Sequence, residues 1–369
     1  MSFSTLFSEL NIEAKLSQLK SISIQQVQNS LNKHNRDIGD FLNFISAAAE
    51  PFLEQMAQQS HQLTRQRFGK TMKLFIPIYL SNECFNTCTY CSFSMENQFK
   101  RKTLSEQEIC QEAQFVSGKG FRHILLLTGE SPKKVGLDYI LKAVELVRPY
   151  FDSIAIEVQP LEESDYIQLR LAGVDTVVVY QETYHRNAYE RYHLFGKKKQ
   201  FDYRLETADR IGKAGMYRCN IGALLGLYDW RYEAISLAYH LHYLQKKYWQ
   251  TKLALSIPRI KGMIGAFKVK YPISDQHLVQ FITAFRLVFP DLAISLSTRE
   301  SAELRDHLLP LGITDMSAES KTDPGGYTGQ RCEGQFDLSD HRSLNEIAQS
   351  LQEKNYDVVL KDWTSCLIA

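Results

Sequence analysis

The stretch Lys73-Leu-Phe-Ile-Pro-Ile-Tyr79-Leu-Ser-Asn-Glu-Cys84-Phe-Asn-Thr-Cys88-Thr-Tyr-Cys91 decides the reading of the whole chain. An apolar run of strand-like composition ends in a loop with three cysteines at C-x-x-x-C-x-x-C spacing. Three thiolates so spaced, with the aromatic Tyr90 before the last, can ligate three irons of a 4Fe-4S cluster and leave the fourth iron open. An open iron is a reaction site. A structural zinc site wants four ligands in two short paired spacings, and no second C-x-x-C follows. Cys110, Cys219, Cys332 and Cys366 stand alone. Packing alone is a poor account of three thiols so close together in loop-like sequence.

Outward from this stretch, short apolar runs alternate with longer amphipathic ones, the pattern of βα units and a parallel sheet. Strands are expected at Lys73–Tyr79, His123–Leu127, Ser153–Val158, Thr176–Val179, Cys219–Leu225, Lys252–Ile257, Ala293–Leu296 and Ile313–Met316. Helices are expected between them, at Glu106–Ser117, Leu137–Val147, Glu162–Leu171, Tyr232–Lys247 and Asp275–Phe289. The expectation is an α/β fold, a full (βα)8 barrel of the TIM type over 72–329. An N-terminal helical extension over 1–71 precedes it, with Asn11, Ser23 and Pro51 as start signals. A short C-terminal tail, 330–369, is expected to pack on the barrel with Trp363 as its anchor.

Composition narrows the function classes. With 43 basic against 42 acidic residues and a net charge of +1, no global field favours nucleic acid or an acidic membrane. Glu9, Glu13 and Lys15 interrupt the N-terminus where a signal peptide needs an apolar stretch, and no later run reaches membrane-spanning length. A cytoplasmic location is expected. Seven cysteines fit a reducing compartment and metal ligation better than a disulfide framework.

Barrels of this kind place chemistry on the loops after the strands, and polar or glycine residues gather at almost every one. Thr128-Gly129-Glu130 follows strand 2, where Gly129 permits a close backbone approach to a ligand and Glu130 can accept from an ammonium group. Strand 3 ends with Glu157 and Gln159, read as sharing one face and contacting a ribose or an amine. Strand 4 runs into Tyr180-Gln181-Glu182-Thr183-Tyr184-His185. Gly222 on strand 5 either admits the flat face of an adenine or relieves crowding inside the barrel. Arg299, after strand 7, suits a carboxylate, with an Arg299–Glu salt bridge as the competing account. Arg204 opens a helix after strand 4 and is a candidate cation for a ligand carboxylate. Lys197-Lys198-Lys199 reads as a solvated loop, and Pro324-Gly325-Gly326-Tyr327 as a lid or a partner-binding turn.

The cysteine motif resembles the signature of the radical S-adenosylmethionine (SAM) superfamily, in which the open iron takes the methionine moiety of SAM. The blocks CFNTCTYCSFSMENQFKRKTL, LLLTGE, EVQPL, VYQETYH, RLETADR, IGALLGL, SLSTRE and SKTDPGGY together resemble the 2-iminoacetate synthase family, the tyrosine lyases of thiamine thiazole biosynthesis. That resemblance implies cleavage of the Cα–Cβ bond of L-tyrosine to 2-iminoacetate and p-cresol, with SAM converted to methionine and 5'-deoxyadenosine. It implies thiazole synthase as a protein partner and a low-potential donor such as flavodoxin or ferredoxin. By position, Cys84, Cys88 and Cys91 match the cluster ligands. Gly129 and Glu130 match the segment for the SAM amino group, Glu157 a ribose contact, and Ser295 and Arg299 the substrate. Tyr90, Gln159, Arg204 and Gly222 complete the expected cofactor contacts. The Ile257–Gly262 loop departs from the family pattern. Hydrogenase-maturation lyases carry further C-terminal cysteines for a second cluster, where only Cys332 and Cys366 follow the barrel here. Deazaflavin-type and biotin synthase-like enzymes are more distant, and a non-catalytic iron–sulfur sensor would not need so many polar strand ends.

Overall fold

The computed structural model describes residues 2–260, 267–329 and 332–362. Its centre is a closed barrel of eight parallel strands: Thr71–Ser81, His123–Thr128, Ser153–Glu157, Thr176–Glu182, Arg218–Ala223, Lys252–Ser256, Ala293–Leu296 and Asp315–Ser317. Closure comes from Lys73, Leu74 and Phe75 in register with Asp315, Met316 and Ser317. Each expected strand has its counterpart, and the expected fold is the observed one.

The first strand shows how the sequence sorts its faces. Leu74, Ile76, Ile78 and Leu80 are buried outward among the helices, while Lys73, Phe75, Pro77 and Tyr79 line the lumen. A proline inside a barrel strand looks forbidden, because it cannot donate to a neighbour. Here Lys73 N donates to Thr314 O at 3.1 Å and Ala318 N donates to Phe75 O at 3.0 Å, so odd-numbered residues face strand 8. Strand 8 ends at Ser317, so Pro77 meets no acceptor that its missing N–H would leave unpaired. Its carbonyl accepts from Tyr327 Oη at 2.8 Å.

The N-terminal extension is helical and packs on the barrel. Asn11 accepts from Ala14 N at 2.9 Å, and Ser23 forms a capping box with Gln26, which starts the helices Ile12–Gln18 and Ile24–Leu31. Pro51 lies inside a 3-10 turn, Ala47–Phe52, ahead of the helix Leu53–Phe68. The layer seals against the barrel helices Trp230–Lys247 and Asp275–Val288. Phe3 stacks on His240 with centroids 3.9 Å apart, and Gln280 Nε2 donates to Phe44 O and Ser46 O at 2.8 Å each.

Residues after the barrel form the helix Leu344–Glu353 and the strand Asp357–Val359, which runs parallel to Thr71–Lys73 at the barrel's N-terminal end. Asp362 N donates to His123 Nε2 at 3.0 Å, tying this segment to strand 2. Trp363 and Cys366 lie outside the described residues, as do Lys261 and Gly262 of the divergent loop. Pro324–Tyr327 is not a lid. Tyr327 Oη is bonded to Pro77, and Thr328 N donates to Glu112 Oε1 at 2.8 Å, which pins the turn to the barrel wall. Among the described residues no helix is long and apolar enough to cross a membrane.

Candidate active site

The barrel encloses a cavity of about 1070 Å³ including its open mouth. Tyr79, Glu157, Tyr180, Ser256 and Arg299 line it, together with Ser295 and the floor residues Lys73, Arg218 and Asp315. Glu157 faces this enclosed space. Burial, reinforced by the negative charge of Glu182 and opposed by Arg299, pushes its carboxyl up to about 7.

Lys73 and Arg218 lie with Asp315 at the floor, and Arg299 is a further cation of the cavity. Its guanidinium lies 3.4 Å from the centroid of the Phe336 ring, a stacked arrangement that fixes the fork's plane. The competing Arg299–Glu pair does not form with its neighbour. Glu300 accepts from Arg259 Nε at 2.8 Å instead, while Arg259 also donates to Asp275 at 2.7 Å. Among the described residues no carboxylate lies within ion-pair distance of Arg299.

The three cysteines sit at the rim. Cys84 and Cys91 pack against the apolar cluster of Tyr79 and Leu127 at the top of the lumen, and Cys88 is buried with Tyr90, Ala188 and Leu224. Burial pushes all three thiols up, Cys91 to about 11; Cys84 adds to the rise of Cys91, and both add to that of Cys88. Among the described residues, however, no three His, Cys, Asp or Glu side chains converge on a point that would hold one metal ion. Three thiols on one loop are the donor set of a cube, whose irons take one thiolate each.

Beside them lies a buried network of four charges. Arg204 Nη1 donates to Glu130 Oε1 at 2.7 Å and its Nε to Tyr180 O at 2.6 Å. Lys198 Nζ donates to Glu182 Oε1 at 2.7 Å and stands 3.8 Å from Glu130. Asn86, from the cysteine loop, donates to Glu130 Oε2 at 2.8 Å. Burial pushes both carboxyls up, but Arg204 and Lys198 outweigh it and hold Glu130 and Glu182 below the usual carboxylate range. Glu182 has a φ of 68°, a strained backbone that this network holds in place. The solvated reading of the lysine run is therefore wrong for Lys198 and right for Lys197 and Lys199, which are exposed. Nothing in the local sequence distinguishes the middle lysine.

Other expected contacts need correction. A Cβ on Gly129 would lie 2.3 Å from Glu83 O, so the close approach is to the cysteine loop's own backbone. A Cβ on Gly222 would meet Ser256 O at 2.6 Å and the Tyr180 ring at 2.9 Å, which is crowding inside the barrel rather than an open face for adenine. Gln159 does not share Glu157's cavity. Strand 3 stops at Glu157, the alternation stops with it, and Gln159 Nε2 donates to Val135 O at 2.9 Å. Tyr90 is a wall residue, its hydroxyl 2.8 Å from His193 Nε2. Thr128 Oγ1, Gln159 Oε1 and Gln181 Oε1, buried at the ends of strands 2, 3 and 4, have no hydrogen-bond partner among the described residues. Such orphans mark a place for a polar ligand.

Comparison with known proteins agrees with this geometry. The family model of the radical SAM superfamily matches residues 78–237, and that of the Biotin and Thiamin Synthesis associated domain matches residues 256–357. The 2-iminoacetate synthase of Escherichia coli (strain K12) is 46% identical over 343 residues, covering 92% of this chain and 91% of that protein. The counterpart from Salmonella typhimurium is 45% identical over the same shares. A solved maturase of the [FeFe]-hydrogenase superimposes with a TM-score of 0.92 at 27% identity, covering 96% of this chain and 81% of its own. The barrel and its cysteine loop define a radical SAM enzyme, which uses a 4Fe-4S cluster and SAM. More narrowly, the chain belongs to the 2-iminoacetate synthase family and is a carbon–carbon lyase.

Proposed function

We propose that the chain cleaves the Cα–Cβ bond of L-tyrosine, releasing 2-iminoacetate and p-cresol, and passes the imine to thiazole synthase in the cytoplasm. The observation that carries this reading is a carboxylate-seeking Arg299 that meets no carboxylate among the described residues, in a cavity whose lining residues Tyr79 and Leu127 pack against Cys84 and Cys91. Cys84, Cys88 and Cys91 would hold the cluster, which when bound supplies the electron that opens SAM to methionine and the 5'-deoxyadenosyl radical. Arg204 and Glu130 bind the charged ends of the SAM methionine, and Glu157 accepts from the ribose. Arg299 orients the tyrosine carboxylate, with Ser295 beside it. The apolar walls keep water from a radical intermediate.

The test is an anaerobic incubation of cluster-loaded protein with SAM, a reductant and L-tyrosine, with L-tryptophan in parallel. Formation of p-cresol and 5'-deoxyadenosine with tyrosine is expected. Deoxyadenosine with tryptophan alone would overturn the substrate. Arg299→Lys keeps the charge but loses the bidentate fork and the stacking, and is expected to raise the KM for tyrosine by about 10- to 100-fold, the equivalent of ~1.5–3 kcal/mol. Steady-state kinetics at limiting tyrosine checks it.

The Glu157 carboxyl gives a pH signature. With its midpoint near 7 in the free protein, the accepting carboxylate is scarce below that pH and dominant above it. SAM affinity is expected to rise about tenfold between about pH 6 and 8. Glu157→Gln should flatten the profile, measured as the Kd for SAM across the range.

A further inference from the structure

The cysteine loop has an outer face. Thr87 and Cys88 pair antiparallel with the segment His193–Phe195, in register Thr87 with Phe195 and Cys88 with His193. Gly196 locks this clasp, since at φ 91° a Cβ there would lie 2.8 Å from Phe85 O and 2.1 Å from Asn86 Oδ1. Met95 N donates to Asn86 O at 2.9 Å and brings the far end of the loop to the same place.

Ten large apolar side chains are exposed among the described residues, and four of them, Phe85, Met95, Leu194 and Phe195, belong to these clasped segments. Phe195 is the most open of the four, at 57%. An exposed apolar patch on a pinned scaffold marks an interaction surface rather than a loose loop. The charges beside it are mostly of one sign. Arg191, Lys197 and Lys199 are exposed on the 190–199 segment against Glu190, whereas Glu96 and Lys100 on the cysteine loop cancel. The patch is thus net basic on a chain whose total is only +1.

We propose that this face docks an acidic, low-potential electron-transfer protein of the flavodoxin kind, with Phe195 and Phe85 at its centre and Lys197 and Lys199 at its rim. The inference rests on the cluster reading above. Cys84 and Cys91 pack against Tyr79 and Leu127, which line the cavity where the substrates would bind. The electron therefore has to arrive from outside, and here the exposed ring of Phe85 is one residue from Cys84 and Phe195 is paired one residue from Cys88. Basic rim charges steer an acidic partner and the apolar centre holds it.

The experiment uses the full chain with its cluster loaded and compares Phe195→Glu, Lys199→Glu and the double variant with the parent. Two quantities are read: the Kd for a purified FMN-loaded flavodoxin at low and high salt, and 5'-deoxyadenosine formation driven by flavodoxin hydroquinone or by dithionite. The double variant is expected to weaken flavodoxin binding and flavodoxin-driven turnover at least tenfold, with the dithionite-driven rate within twofold of the parent. Leu171→Glu, at an exposed position of the helix Glu163–Ala172 and outside the clasp, should change neither. Unchanged flavodoxin affinity overturns the proposal. Equal loss in both reductant arms also overturns it, because Phe195 would then serve the cluster loop itself. A lost affinity for thiazole synthase with flavodoxin binding intact assigns the face to that partner and overturns it too. Failure of the underlying cluster reading shows separately, as a parent protein without dithionite-driven deoxyadenosine.

Discussion

Cys88→Ala is expected to give a folded protein that carries no 4Fe-4S cluster and forms no 5'-deoxyadenosine. The thiol is 4% exposed and packs against Tyr90, Ala188, Leu224 and Leu227, so its removal leaves a small apolar void. A void of that size costs about 1–2 kcal/mol, less than the roughly 5–15 kcal/mol by which native domains are stable. The chemical loss is far larger. A cube held by three thiolates has no spare protein ligand, and among the described residues no other cysteine lies in the clasp. Cys219→Ala is the matched control. That thiol is also buried, on the fifth strand, and burial pushes it up to about 12, as expected of a packing cysteine. Iron and sulfide content after anaerobic reconstitution, with circular dichroism to verify folding, separates the two variants. A Cys88→Ala protein that kept a reducible cluster would refute the ligand assignment, and a Cys219→Ala protein that lost it would show that the readout reports folding.

What the sequence discloses and what it hides follow from how local each signal is. Every barrel strand announces itself as an apolar run, because an enclosed parallel strand needs apolar residues along most of its length. The C-x-x-x-C-x-x-C spacing is equally local, so the cluster loop is legible too. The Thr87–Cys88 and His193–Phe195 clasp is not. It joins two or three residues across a separation of about a hundred positions, and neither segment has strand periodicity. The short helix Arg186–Tyr192 has no such signal because a single turn or two carries too few apolar residues to define a face, and the helix expected to open at Arg204 is two short ones, Phe201–Leu205 and Thr207–Lys213, with Arg204 in the last turn of the first. Gln159 was misplaced because alternation was carried past the last paired residue of its strand. Gly129 and Gly222 were recognised as close-approach positions, but sequence does not say what approaches. Lys198 is the sharpest case. Its neighbours are chemically identical, and only the 3-10 turn Lys197–Lys199 decides which ammonium points inward.

That inward lysine carries the second large expected effect. Glu130 and Glu182 are two buried carboxylates beside three thiols that become thiolates on ligation, and among the described residues their ion-pair partners are Arg204 and Lys198. Lys198→Met leaves Glu182 with Arg204 Nη2, at 3.7 Å, as its one ion-pair partner among the described residues. Removing one partner of a buried pair typically costs about 3–5 kcal/mol, because the other charge stays buried. Relief comes by protonation, so in the variant the Glu182 carboxyl shifts above its unfolded value. A carboxyl raised in the folded state binds its proton there preferentially, so the variant's stability is greatest at low pH and falls as pH rises through the raised value. In the parent the same carboxyl is held low and its stabilisation is present at neutral pH. Thermal unfolding across pH should therefore show Lys198→Met close to the parent in mild acid and well below it above neutrality, with Lys199→Met indistinguishable from the parent throughout. Adding Glu182→Gln to Lys198→Met removes the stranded charge and should recover most of the lost stability, with Arg204 still held by Glu130 and the Tyr180 carbonyl. Equal pH profiles for Lys198→Met and Lys199→Met would mean that Arg204 alone satisfies both carboxylates.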